Sequence, residues 1–141
     1  MEQLLHYIWK HRILPLHELR TTDGRAVEII DPGLHNTHSG PDFFNAKLRI
    51  DGTMWVGNVE IHERSADWFM HSHDQDPAYN NVVLHVASVI DADVVTADGS
   101  RPPQMELHVP PYVMQNYRRL LAADHYPPCR ETVMQLPRLT V

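Results

Sequence analysis

Three Asp-Gly pairs, Asp23-Gly24, Asp51-Gly52 and Asp98-Gly99, each lie between apolar or alternating runs, and they constrain the fold more than any other feature of the chain. Asp-Gly is a strong hairpin signal because glycine takes the positive φ that a tight turn between two strands demands. The flanking runs predict strands over 17–21 and 25–31, 43–50 and 53–62, and 93–97 and 104–109. The flanks share no pattern, so the hairpins are not an internal repeat.

Helical periodicity fills the gaps. Leu5, Ile8 and Trp9, with Leu4 beside them, predict an amphipathic helix over 2–13 that ends before Pro15. Ser65 is placed to cap a short helix running to Met70. Val82 to Ile90 is apolar on both faces except at His85 and Ser88, the pattern of a buried central strand. Pro110-Pro111 open a further helix with Tyr112, Val113, Met114, Tyr117, Leu120 and Leu121 on its packing stripe. Trp9, Trp55, Tyr112 and Tyr117 read as core rather than as stacking platforms, and Arg118-Arg119 as a solvated helix face. The expected fold is α/β (α+β), a central mixed sheet built from hairpins with flanking helices. Residues 1–124 form its single domain, and 125–141, with three prolines and no periodicity, read as a connector to a further region.

Composition bounds the function. A chain of 141 residues with 43% hydrophobic content can bury one core. No run is long enough to span a membrane, and Met1-Glu2-Gln3 does not open a signal peptide. The single cysteine, Cys129, excludes an internal disulfide, so a reducing compartment such as the cytoplasm is expected. A net charge of −6 with only two lysines, Lys10 and Lys47, argues against a freestanding nucleic-acid binder. Eleven histidines are the unusual number, and histidine is both the commonest metal ligand and the near-neutral acid–base group.

The chemical residues gather on the middle hairpin. Glu60 and His62 are two apart in a strand and share a face. A two-residue loop at Asp51-Gly52 would set Asp42 opposite Ile61; a three-residue loop, Ile50-Asp51-Gly52, would set it opposite Glu60. The second register is preferred here, because it also lines up Phe44, Ala46 and Leu48 with Met54 and Val56. Opposed carboxylates repel, and a shared Mg²⁺ or Mn²⁺ resolves the repulsion. Further candidate ligands are His71, His73 and His85, although His71-Ser72-His73 also fits a solvated loop and His85 a core histidine held by one hydrogen bond. His35, Asn36 and His38 lie in the loop before Asp42 and are candidates for substrate contacts.

Pro41-Asp42 followed, after a hairpin, by Glu60-Ile61-His62 resembles the PD-(D/E)xK nuclease-like superfamily. The resemblance implies a helix, a three-stranded antiparallel unit carrying the acids, a second helix and a further strand. It also implies metal held by Asp42 and Glu60, a nucleic-acid partner, and Glu2 as an extra acid on the first helix. The superfamily's lysine is replaced by His62, which can ligate metal or act as a base but is not a permanent cation.

A longer string, Gly40-Pro41-Asp42-Phe43, Gly57-Asn58-Val59-Glu60-Ile61-His62, Asp67-Trp68, His71-Ser72-His73, Ala78-Tyr79-Asn80 and Leu84-His85-Val86, resembles an uncharacterised bacterial family, domain of unknown function 2851. That resemblance implies a longer parent protein and no particular activity. The functional expectation is a divalent-metal-binding, nuclease-like domain with Asp42, Glu60 and His62 as catalytic residues. The alternatives are a non-catalytic module of that type, or a His-rich Zn²⁺ or Mn²⁺ hydrolase using His62, His71, His73 and His85.

Overall fold

A computed structural model describes residues 2–13, 19–109 and 111–123. They fall into two units, 1–108 and 109–141. In the first, helix α1 (Glu2–His11) precedes strands β1 (Leu19–Arg20), β2 (Ala26–Asp31), β3 (Leu34–His35), β4 (Phe43–Ile50) and β5 (Thr53–Arg64). Helix α2 (Asp67–Met70), two single 3₁₀ turns, strand β6 (Val82–Val89) and strand β7 (Gln104–Glu106) follow. The second unit contains helix α3 (Pro111–Ala123). The expected α+β class holds, with one mixed seven-stranded sheet in the order β1-β2-β4-β5-β6-β7 and β3 also pairing with β4.

The first helix forms because its apolar residues recur at helical spacing. Leu4, Leu5, Ile8 and Trp9 are fully buried, Glu2 lies in the first turn, and Lys10 and His11 lie in the last, where they suit the helix dipole. It stops at Arg12, whose φ of 55° is left-handed. The Trp9 indole donates to the Pro32 carbonyl at 3.0 Å and Arg12 to the Ile30 carbonyl at 2.8 Å, which fixes α1 beside the end of β2.

β5 is the pivot of the sheet, antiparallel to β4 on one side and parallel to β6 on the other. β6 is central, as its two-sided apolar pattern predicts, and β7 runs parallel to it. Thr22 N–H donates to the Gln104 carbonyl at 2.8 Å, so the β1 edge reaches the β7 edge and the sheet curls almost into a barrel.

Several expectations are corrected. The third Asp-Gly pair does not join a hairpin: residues 93–97 are not a strand, and only Gln104–Glu106 pairs, in parallel, with β6. The Asp98-Gly99 turn does form, with Thr96 N–H bonded to the Ser100 carbonyl at 2.8 Å and the Thr96 hydroxyl to Asp98. Beyond it, however, Pro102 and Pro103 have no N–H to continue a ladder, and the Trp68 indole takes the Val95 carbonyl at 2.9 Å.

Ser65 does not cap α2; its hydroxyl is taken by Asp91, at 3.0 Å from Oδ1. Trp55 and Tyr112 are 47% and 56% exposed, not core. Expectations on 14–18, Pro110, Asp124, the 125–141 connector and the packing of Leu120 and Leu121 lie outside the described residues and side chains.

The preferred turn at residues 50–52 is also corrected, with a result that the two simple registers did not anticipate. Ile50 pairs with Thr53 across a two-residue Asp51-Gly52 turn in which both residues have positive φ, 52° and 84°. The register then slips at a bulge: Ala46 faces Gly57, but Phe43 faces Val59, so Phe44 and Asn45 together oppose Asn58. Asn45 takes the left-handed φ of 56° that such a bulge needs, and its N–H bonds Asn58 Oδ1 at 3.3 Å. The bulge keeps Phe43 buried along with Ala46, Leu48 and Ile50. One residue further on, Asp42 arrives opposite Glu60 after all.

Candidate metal centre

Strand pairing aligns a polar row in an apolar sheet. Asp42 leads into β4, Glu60 lies on β5, His85 pairs with Glu60 on β6, and Gln104 pairs with His85 on β7. His62 follows Glu60 on the same face of β5. Glu60, His62, His85 and Gln104 are all buried, and buried polar groups persist only when their bonds are satisfied.

The bonds run as a relay. Gln104 Nε2 donates to the Ala92 carbonyl at 2.9 Å, which leaves Oε1 to accept from His85 Nδ1 at 2.8 Å. His85 Nε2 is therefore the acceptor in its 2.7 Å contact with His62 Nδ1. Burial first, then the neighbouring His62, depress the His85 pKa to about 4, which keeps that nitrogen free to accept. With Nδ1–H committed to His85, the Nε2 of His62 faces Glu60 Oε2 at 3.2 Å. A lone pair facing a carboxylate oxygen is repulsive unless a proton or a cation lies between them.

His73 arrives at the same oxygen from the 3₁₀ turn His73–Gln75, which Ser72 enters with a left-handed φ of 59°. Its Nε2 lies 2.8 Å from Glu60 Oε2, yet it is buried and off the hydrogen-bond direction, with no hydrogen-bond partner. The ring is stacked on Tyr79 with centroids 3.7 Å apart and meets the Trp68 edge at 5.4 Å. His71, exposed, completes the group: His62, His71 and His73 offer ring nitrogens that all lie within 4.8 Å of one another.

Glu60 holds the centre together. Burial would raise its pKa, but His62 and His73 outweigh that and hold it at about 2, so it is an anion at neutral pH. The phenol of Tyr79 is raised by burial and by the carboxylates of Glu60, Asp42 and Asp76, and stays neutral.

Asp42 is held apart from the histidines by its own bonds. Its N–H donates to Glu60 Oε1 at 3.1 Å, and its Oδ2 accepts the Ile61 N–H at 2.8 Å. The same oxygen faces His6 Nε2 of α1 at 3.3 Å. Burial, then the nearby charge of Glu60, raise the Asp42 pKa; burial opposes the charge of His6, but Asp42 wins and raises it.

Sequence reading missed His6 and Gln104. His6 stands one turn after Glu2, on the same helix face, and that spacing was the available signal. Glu2 is half-buried here, and its carboxyl is raised by burial while it feels the charges of His62, Asp42 and His6. Gln104 had no local signal.

The loop residues are placed near Asp42. Asn36 clamps the loop, donating to the Ser39 and Pro41 carbonyls at 2.9 and 3.0 Å and accepting from His38 N–H at 3.0 Å. His35 stacks on Phe43 with centroids 4.8 Å apart, and His38 is exposed.

The chain is thus an α+β domain whose β5–β6 pair carries buried Glu60, His62 and His85, and whose His62, His71 and His73 are close enough to share a metal ion. The family model described as Protein of unknown function (DUF2851) matches residues 2–141, and the chain belongs to that family. No curated protein and no solved structure matches it. No helix among the described residues is long and apolar enough to cross a membrane.

Proposed function

We propose that this domain is a metal-dependent hydrolase whose ion is held by His62, His73 and Glu60, with His71 on the solvent side. The supporting observation is the convergence on Glu60 Oε2 of two imidazole Nε2 atoms, at 3.2 and 2.8 Å, one of them buried without a hydrogen-bond partner. Metal–nitrogen bonds of about 2.0–2.1 Å set neighbouring ligands of one ion roughly 3.0–3.3 Å apart. The His62 spacing of 3.2 Å falls in that range, and His73, at 2.8 Å, would draw back slightly to meet it.

Imidazole-rich donors suit Zn²⁺ or another late transition metal, whereas Mg²⁺ prefers oxygen, so Zn²⁺ is the first choice and Mn²⁺ the second. A bound ion of this kind would supply a hydroxide nucleophile by acidifying a water. His85 and Gln104 fix the tautomer of His62, the part that partners of a metal-bound histidine play. Exposed His71 marks the side from which substrate would enter.

The nuclease-like reading makes the substrate a phosphodiester. It is supported by the order helix, antiparallel β2-β4-β5, short helix and parallel β6, and by Asp42 opposite Glu60. The missing lysine and the engaged Asp42 carboxylate also fit a non-cleaving module of the same type. Metal content and thermal stability with Zn²⁺, Mn²⁺ and Mg²⁺ test the proposal. Zn²⁺ at about a hundred times its Kd should add about 2.7 kcal/mol, roughly 10 °C in Tm. Equal melting with every ion would leave His62 and His73 as charged partners of Glu60 and remove the metal. A rise with Mg²⁺ alone would return the site to the Asp42/Glu60 pair.

A further inference from the structure

The first half of β5, the start of β6 and the segment before β7 enclose a groove of about 870 Å³, and none of the metal-centre residues line it. That volume lies within the usual range for small-molecule sites.

Trp55 lines this groove with 47% of its surface exposed, whereas Trp9 and Trp68 are wholly buried. Its indole is an open aromatic face, which the packing of the sheet does not use. Arg25 and Arg101 also line the groove, and no aspartate or glutamate does, in a chain whose net charge is −6. Arg25 is steadied by Asp23, which takes its Nε at 3.1 Å and leaves the Nη donors unbonded among the described residues. The Arg101 side chain has no partner among the described residues.

Three amides complete the wall. Asn58 Oδ1 and Asn80 Oδ1 each accept a backbone N–H, from Asn45 and Asp98, both at 3.3 Å, so their NH₂ groups are the donors left over. Asn81 has its whole side-chain amide unbonded among the described residues.

We propose that this groove binds a nucleotide unit, with the base against Trp55 and the phosphate between Arg25 and Arg101. A flat ring accounts for the exposed indole, since every base offers a π-face for stacking. An anion accounts for the Arg101 guanidinium with no carboxylate beside it among the described residues, and for an Arg25 whose Asp23 partner takes only Nε. An uncharged sugar would leave the arginines idle, and an acidic peptide would leave the indole idle. The overall acidity of the chain does not oppose this, because the local field in a groove follows the charges that line it. The unit is either a free nucleotide or one residue of a single strand. The proposal does not depend on the metal centre.

Equilibrium dialysis of the full chain in EDTA, with AMP, adenosine and a short oligothymidylate as probes, tests it. Trp55 is the exposed tryptophan among the described residues, so indole quenching gives a second readout. AMP should bind, adenosine should bind about tenfold more weakly or worse, and both W55A and R101E should weaken AMP by about tenfold or more. Both side chains are exposed, and circular dichroism would confirm that each variant folds. Equal binding of AMP and oligothymidylate would support a free-nucleotide site; tighter, salt-dependent oligothymidylate would support a single-strand site. Failure of both AMP and oligothymidylate to bind, adenosine binding as well as AMP, or AMP binding unchanged in both variants would overturn the proposal. Because EDTA is present throughout, none of these outcomes depends on whether the histidines hold metal.

Discussion

Asp42 and Glu60 are bound to each other through the backbone: Asp42 N–H donates to Glu60 Oε1 at 3.1 Å, and Ile61 N–H donates to Asp42 Oδ2 at 2.8 Å. This arrangement turns Glu60 Oε2 toward His62 and His73 and leaves Asp42 to His6. The two acids therefore have different work: Glu60 faces the histidines, and Asp42 sets the angle of Glu60.

Glu60→Gln should cut Zn²⁺ affinity by about 100-fold or more, because it removes the anion that two imidazoles address. Asp42→Asn, which keeps the N–H to Glu60, should cost about tenfold or less. Titration calorimetry with Zn²⁺ separates the two, and equal losses would make Asp42 a ligand.

His85→Phe should leave His62 Nδ1 without an acceptor in a buried place. We expect a loss of about 1–3 kcal/mol in urea unfolding and a 10–100-fold loss of Zn²⁺ affinity. His85→Gln, which keeps an acceptor, should recover part of both. An affinity unchanged in His85→Phe would show that the relay does not orient His62.

Acid should destabilise the metal-free protein in two stages. His85 is depressed by burial to about 4 from an ordinary 6.5, so the unfolded chain takes up that proton first and stability falls as pH drops from 6.5 toward 4. The full effect is on the order of 3 kcal/mol. Glu60, held at about 2 by His62 and His73 against an ordinary 4.5, adds stability above 4.5 that is lost as pH falls toward 2. Urea midpoints from pH 7 to 3 should decline throughout, and His85→Gln should flatten the upper part of the curve.

Gly57→Ala should be far more harmful than Gly24→Ala. A Cβ on Gly57 would lie 2.4 Å from Val83 Cγ1 and 2.7 Å from the Asn81 carbonyl, so β5 and β6 would have to separate. A Cβ on Gly24 meets nothing, and only its φ of 87° resists. Chemical denaturation should show about 2–4 kcal/mol lost at Gly57 and about 1 kcal/mol at Gly24.

The chain itself determined the elements whose signals are local. The spacing of Leu4, Leu5, Ile8 and Trp9 made α1, the two-sided apolar run at Val82–Val89 made a central strand, and Asp51-Gly52 made its hairpin. It also put Glu60 and His62 on one face, because side chains alternate along any strand.

Tertiary structure decided the rest. The bulge at Asn45 shifts the register between the turn and the site, so neither single register describes the hairpin. The Asp98-Gly99 turn failed to make a third hairpin because two prolines and a tryptophan took its flanks elsewhere. Gln104 and the aim of His73 come from contacts between segments far apart in the chain, and no spacing encodes such contacts; helical spacing set His6 beside Glu2, but only packing brought it to Asp42. Local geometry fixes which way a side chain can point, and only packing fixes what it meets there.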